Sequence, residues 1–139
     1  MINRTLFGIP VKIDEAATAR WYSKQESWGC ECADCRNFVA IAKQKDLPEQ
    51  THSVLSELKI NPDKATYVCE IIPKDDGHLY QFSYRIAGNI LNEDAANSEK
   101  TEWGEIRCCH ELYPYGAPDF ATPHFDLEFW VTLPWVLDD

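Results

Sequence analysis

In 125-FDLEFWVTL-133, Phe125, Leu127, Phe129, Val131 and Leu133 fall on one side, and Asp126, Glu128 and Thr132 on the other. A period of two sends successive side chains to opposite faces of a sheet, so this stretch is a strand with one apolar face. Trp130 interrupts the polar side, and an outward Trp there points to a partner surface, a second packed layer or a dimer contact.

Further strands gather around this one. In 78-HLYQFSYRIAGNIL-91, Tyr80, Phe82, Tyr84 and Ile86 share a side, and in 66-TYVCEII-72 so do Tyr67, Cys69 and Ile71. Between them, 75-DDGH-78 contains Asp-Gly, a hairpin signal because Gly tolerates positive φ. In 104-GEIRCCHEL-112, Ile106, Cys108, His110 and Leu112 alternate with Glu105, Arg107, Cys109 and Glu111. Val11 to Ile13 is the first strand candidate. The polar 92-NEDAANSEKTEW-103 and the Pro/Gly-rich 113-YPYGAPDFATP-123 read as connections, and 20-RWYSKQESW-28 as a mixed aromatic lead-in to the cysteines.

Two segments carry helical spacing instead. From Ala33 to Lys45, Cys35, Phe38, Val39 and Ala42 form one stripe, with Asp34 in the first turn and Lys43 and Lys45 in the last, as the helix dipole prefers. After 46-DLPE-49, with Pro48 near the first turn, Thr51, Val54, Leu55 and Leu58 form another, ended by Pro62 and its neighbours. Two such short helices need a sheet to bury their stripes. The expectation is one α+β domain over residues 1–139, an antiparallel sheet of at least four strands with two short helices packed on one face.

Composition agrees with a globular chain of 139 residues, 45% hydrophobic and 12% aromatic. With no long apolar run and no signal-peptide pattern at the N-terminus, the protein reads as cytoplasmic and not membrane-bound. Thirteen basic residues against 23 acidic ones give a formal net charge of −10. That balance argues against nucleic acid and anionic membranes, since phosphate recognition draws on clustered cations. Solubility explains the acidity; a surface docking on a basic partner is the sharper reading.

Chemistry concentrates in 28-WGCECADCRNFVA-40, where Cys30, Cys32 and Cys35 fall within six residues at the entry to a helix. Three readings are open. C-x-C-x-x-C supplies up to three thiolates to a zinc ion, with the fourth ligand drawn from Cys69, Cys108, Cys109, His110 or His124. Cys32 and Cys35 alternatively form a redox dithiol at a helix N-terminus, although no βαβ context precedes them and Asp34 opposes a thiolate. In the third reading the cysteines are small hydrophobes: Cys35 lies on the helix stripe, Cys69 and Cys108 on apolar strand faces, and Cys109 is the one expected to be exposed.

No enzyme motif is present: no phosphate loop, Gly-x-Ser-x-Gly elbow or His-Glu-x-x-His. Cys109 and His110 point to opposite faces and do not pair as nucleophile and base. His52 is expected on a helix surface and His78 beside a turn. Glu105, Glu111, Asp126 and Glu128 are read as solvated outward carboxylates. The five tryptophans, with the tyrosines of the 80–84 strand, either fill the core or line a small-ligand cleft.

The segments 32-CADCRNF-38, 47-LPEQ-50, 60-INPDK-64, the Asp-Gly hairpin and 133-LPWVL-137 together resemble a set of small uncharacterised bacterial proteins over about residues 28 to 137. The resemblance implies no activity. Lys59 stands where Gly is expected to end the second helix, and a positive φ there strains a Lys modestly. The functional expectation is a non-catalytic binding or interaction module with zinc at Cys30, Cys32 and Cys35. Its alternatives are a thiol–disulfide redox enzyme and an acidic inhibitor; the partner is an unidentified protein, a small molecule or a second copy of the chain.

Overall fold

The computed structural model describes residues 1–93, 99–110 and 116–138. Its elements are β1 (Ile2–Leu6), β2 (Ile9–Ile13), α1 (Glu15–Ser23), α2 (Ala33–Lys43), α3 (Glu49–Glu57), β3 (Tyr67–Lys74), β4 (Gly77–Ile90), β5 (Glu99–Lys100), β6 (Glu105–Cys109) and β7 (His124–Leu133). The fold is α+β, with the strands in one antiparallel sheet of order β1-β2-β4-β7-β6-β5 and β3 also paired to β4.

Strand β4 is the spine. It pairs with β7 over His78 to Ala87, with β3 over Gly77 to Ser83, and with β2 over Gly88 to Ile90. Its switch of neighbour depends on Gly88, at φ +144°, where an added Cβ would lie 1.9 Å from the Lys12 carbonyl oxygen. On one face of the sheet Phe82 stacks against Phe129 and meets Phe38 of α2, while Tyr80, Tyr84, Ile86, Leu127 and Val131 complete a fully buried layer. The alternation in 78–91 and 125–133 therefore identifies the core face.

The N-terminal part departs from expectation. Val11–Ile13 belongs to a hairpin of two five-residue strands, turned by Phe7 (φ 51°) and Gly8 (φ 83°). Both central residues at positive φ make the turn whose twist suits a hairpin. Phe at its first position gives little sequence signal; packing against Phe129 and Trp103 holds it there. The 20–28 lead-in overlaps the end of a third helix, α1, capped by Asp14, whose Oδ1 accepts from the Ala17 amide at 3.0 Å.

The second face of the sheet overturns a larger expectation. Asp126 and Glu128 are not solvated: they are 2% and 0% exposed. Arg85, itself 2% exposed, donates from Nε and Nη2 to the two oxygens of Asp126 at 2.9 and 3.1 Å. Arg107 does the same to Glu128 at 2.6 and 3.2 Å, and the Trp130 indole donates to Glu128 Oε1 at 2.6 Å. Trp130 is thus half-buried and committed to a carboxylate rather than presented outward. Residues 116–120 cross near this polar layer: a Cβ on Gly116 would lie 1.6 Å from the Thr66 carbonyl oxygen, and Ala117 and Phe120 are buried. A carboxylate under a second covering segment must find a cation, because an unpaired buried charge is too costly to keep.

Smaller corrections follow the same logic. On β3 the buried residue is Val68, which pairs with Phe82; Tyr67 and Cys69 lie on the polar-layer side, and Ile71 and Ile72 are exposed beside a bulge. Part of the 92–103 connection is strand β5, paired to β6. The expected strand 104–112 ends at Cys109, and Glu111 and Leu112 lie outside the described residues. Lys59 does adopt positive φ (60°), as Lys45 does (61°) at the end of α2. Among the described residues no helix is long and apolar enough to cross a membrane.

Candidate metal centre

The loop 24–32 delivers Cys30 and Cys32 to the N-terminus of α2. Cys32 is the N-cap residue, its Sγ accepting from the Cys35 amide at 3.4 Å, while its carbonyl accepts from Arg36. A thiol capping a helix sits where free amides and the helix dipole favour negative charge. Cys30 Sγ lies 3.4 Å from Cys32 Sγ, and the sulfurs of Cys30, Cys32 and Cys35 all lie within 4.8 Å of one another. All six cysteines are free thiols.

The three sulfurs have different environments. Cys30 and Cys32 are exposed, whereas Cys35 is buried. Hydrogen bonds from the Cys32 backbone amide and from the neighbouring thiols lower the Cys30 pKa. Burial pushes Cys35 up to about 12, opposed by the Trp28 indole beside it. Trp28 Nε1 is buried and, among the described residues, has no acceptor in hydrogen-bonding geometry. An N–H desolvated beside a sulfur is best satisfied when that sulfur is anionic.

The first turn of α2 is also anchored from below. Tyr80 of β4 donates its hydroxyl to the Asp34 carbonyl at 2.7 Å and accepts from Asn37 Nδ2 at 3.3 Å. Asn37, fully buried, also donates to the Pro134 carbonyl at 3.0 Å, and its Oδ1 accepts from the Val136 amide at 2.7 Å. The cluster therefore stands on a helix tied to the central strand and to the segment after β7.

None of the sequence-selected fourth ligands joins the three sulfurs. Cys108 is buried on the core face of β6, paired with Leu127. Cys109, expected exposed, is half-buried beside Asp126, and burial raises both Cys108 and Cys109 to about 12. Cys69 leans on the Glu70 carbonyl, His110 pairs with Glu93, and His124 Nδ1 lies 3.0 Å from the Ala121 carbonyl. His52 is half-buried with its pKa lowered by burial. The tryptophans are dispersed, Trp21 against Phe120, Trp28 against Tyr67, Trp103 against Phe7 and Trp135 against His78; Trp103 and Trp130 line one open cleft, which the other three do not line.

One grouping had no sequence signal: Asp34, Glu70 and His78, from α2, β3 and β4, bring their ligand atoms within 4.8 Å of one another. Comparison with protein-family models, with curated proteins and with solved structures gave no match.

Proposed function

We propose that the protein is a non-catalytic binding module built around a thiolate metal centre, in which Cys30, Cys32 and Cys35 hold a zinc ion. The observation that carries this reading is the convergence of three sulfurs within 4.8 Å. Zinc–sulfur bonds of about 2.3 Å in a tetrahedron set sulfurs about 3.8 Å apart, so small side-chain rotations close the site. Soft thiolates select zinc or a similar thiophilic ion over hard cations. The Trp28 N–H beside Cys35 favours that sulfur in its anionic state. With two of the three sulfurs exposed, the fourth coordination position faces solvent, open to water or to a thiol, imidazole or carboxylate of a partner.

Elemental analysis of protein purified without chelator or histidine tag tests this reading. One zinc per chain is expected, with the 30–35 thiols protected from alkylation until chelator is added. Trp28→Phe should weaken zinc binding about tenfold, as loss of a group supporting a metal ligand commonly does. Metal-free protein whose Cys30 and Cys32 alkylate freely, and which fails to take up added zinc, would refute the reading.

A second reading has its own support. Cys32 is exposed at the helix cap and Cys35 is buried one turn on, the arrangement of an attacking thiol and its resolving partner. A redox dithiol predicts a Cys32–Cys35 disulfide on incubation with oxidised glutathione, reversed by reductant with the fold intact. A zinc centre predicts protection from that oxidant while metal is bound.

A further inference from the structure

We propose that Asp34, Glu70 and His78 form a second metal site, distinct from the cysteines and suited to a divalent cation that takes oxygen and nitrogen donors. The three residues are distant in sequence and arrive from separate elements. Asp34 is in the first turn of α2, Glu70 on β3 and His78 on β4. Register explains the meeting: Glu70 pairs with Tyr80, and His78 lies two residues before Tyr80 on the same face, beneath the helix turn that Tyr80 grips.

An ordinary ion pair accounts for part of this group. His78 Nδ1 lies 3.4 Å from Glu70 Oε2, with side chains 26% and 16% exposed. It does not account for Asp34. The Asp34 carboxylate has no hydrogen bond or ion pair among the described residues, yet stands within 4.8 Å of a second carboxylate and an imidazole. Two carboxylates so placed repel one another, and one imidazole neutralises at most one of them. A divalent cation between the three removes the conflict, and Trp135, tilted against His78 at 5.2 Å between ring centroids, packs on the imidazole. Two carboxylates and one imidazole suit Mn²⁺ and its neighbours better than a thiophilic ion, with water completing the shell. Asp34 and Cys35 are consecutive, so one helical turn would supply a ligand to each of two sites of opposite preference.

Mn²⁺ titration of the full chain, read by the electron paramagnetic resonance of free Mn²⁺, tests the site without reporting on the thiolates. Saturable uptake of one Mn²⁺ per chain is expected, and is expected to persist in the Cys30→Ser, Cys32→Ser double variant. Glu70→Gln and Asp34→Asn should each weaken it at least about tenfold by removing ligand charge, with circular dichroism verifying that each variant is folded. Weak, non-saturating uptake in the unsubstituted chain, or affinity unchanged by both substitutions, would overturn the proposal. Loss of Mn²⁺ in the cysteine variant would also overturn it, by assigning the ion to the thiolates.

Discussion

Asp126→Ala should be among the most destabilising single substitutions in the chain. Its carboxylate accepts two hydrogen bonds from Arg85, at 2.9 and 3.1 Å, and both residues are 2% exposed. Unit charges about 4 Å apart in an effective dielectric of about 20 attract by roughly 4 kcal/mol. Removing one partner also strands the other as a buried charge, so the expected loss is about 3–5 kcal/mol. A solvated carboxylate at the same position would lose about 1 kcal/mol or less. Urea denaturation followed by far-ultraviolet circular dichroism and tryptophan fluorescence measures the difference. The double variant Arg85→Met, Asp126→Leu should regain most of the loss, because apolar groups of similar volume replace both charges. Added salt should leave the coupling nearly unchanged, since neither group is open to counterions. A cost below about 1 kcal/mol for Asp126→Ala, or a double variant no better than the single, would refute the picture of a buried pair.

Other expectations are equally specific. Asn37→Leu deletes the hydrogen bonds to Pro134, Val136 and Tyr80 and should cost about 2–3 kcal/mol, with faster amide exchange at Val136; unchanged exchange there would deny that Asn37 pins the segment. Lys59→Gly should stabilise by about 0.5–1 kcal/mol, because Lys59 holds φ 60° at a helix end; a lower Tm would show that the lysine contributes contacts worth more than the strain. Stability should fall at alkaline pH. Burial raises Cys108 from an ordinary 9.0 to about 12, so its contribution is complete below about pH 8.5 and is lost as pH climbs through that interval. The unfolded chain releases the proton first, and Cys108→Ala should flatten this part of the curve; an unchanged slope would place the alkaline sensitivity elsewhere, in Cys35, Cys109 or the raised Tyr22 and Tyr84.

The sequence made the core face of the sheet legible because Phe82, Tyr84, Leu127 and Phe129 repeat at a strict period, and period alone assigns a face. It could not disclose that the opposite face is buried too. Asp126 and Glu128 look like surface residues until Arg85 and Arg107, each from another strand, are seen beside them. The β1–β2 turn was hidden for a related reason: Phe7 takes positive φ through contacts with residues more than ninety positions away. The cysteine cluster was legible because its members are local. Asp34, Glu70 and His78 were not, since the β3–β4 register brings two of them together and α2 lowers the third onto them. Asp14 before an Ala-rich run is a local capping signal for α1.

The position of β7 between β4 and β6 sets a condition on how the chain becomes folded during synthesis. When β4 leaves the ribosome, its edge over residues 78–87 has no neighbour, and the layer of Tyr80, Phe82 and Tyr84 lacks the side chains that close it. Strands β5 and β6 emerge next but do not pair with β4, because β5 pairs with β6 and β6 with β7. The nascent chain must therefore hold one edge of an aromatic strand open for about 40 residues of translation, roughly two to eight seconds at common elongation rates. An open edge of this length invites pairing with other chains, so the interval before β7 inserts is when chaperone protection matters most.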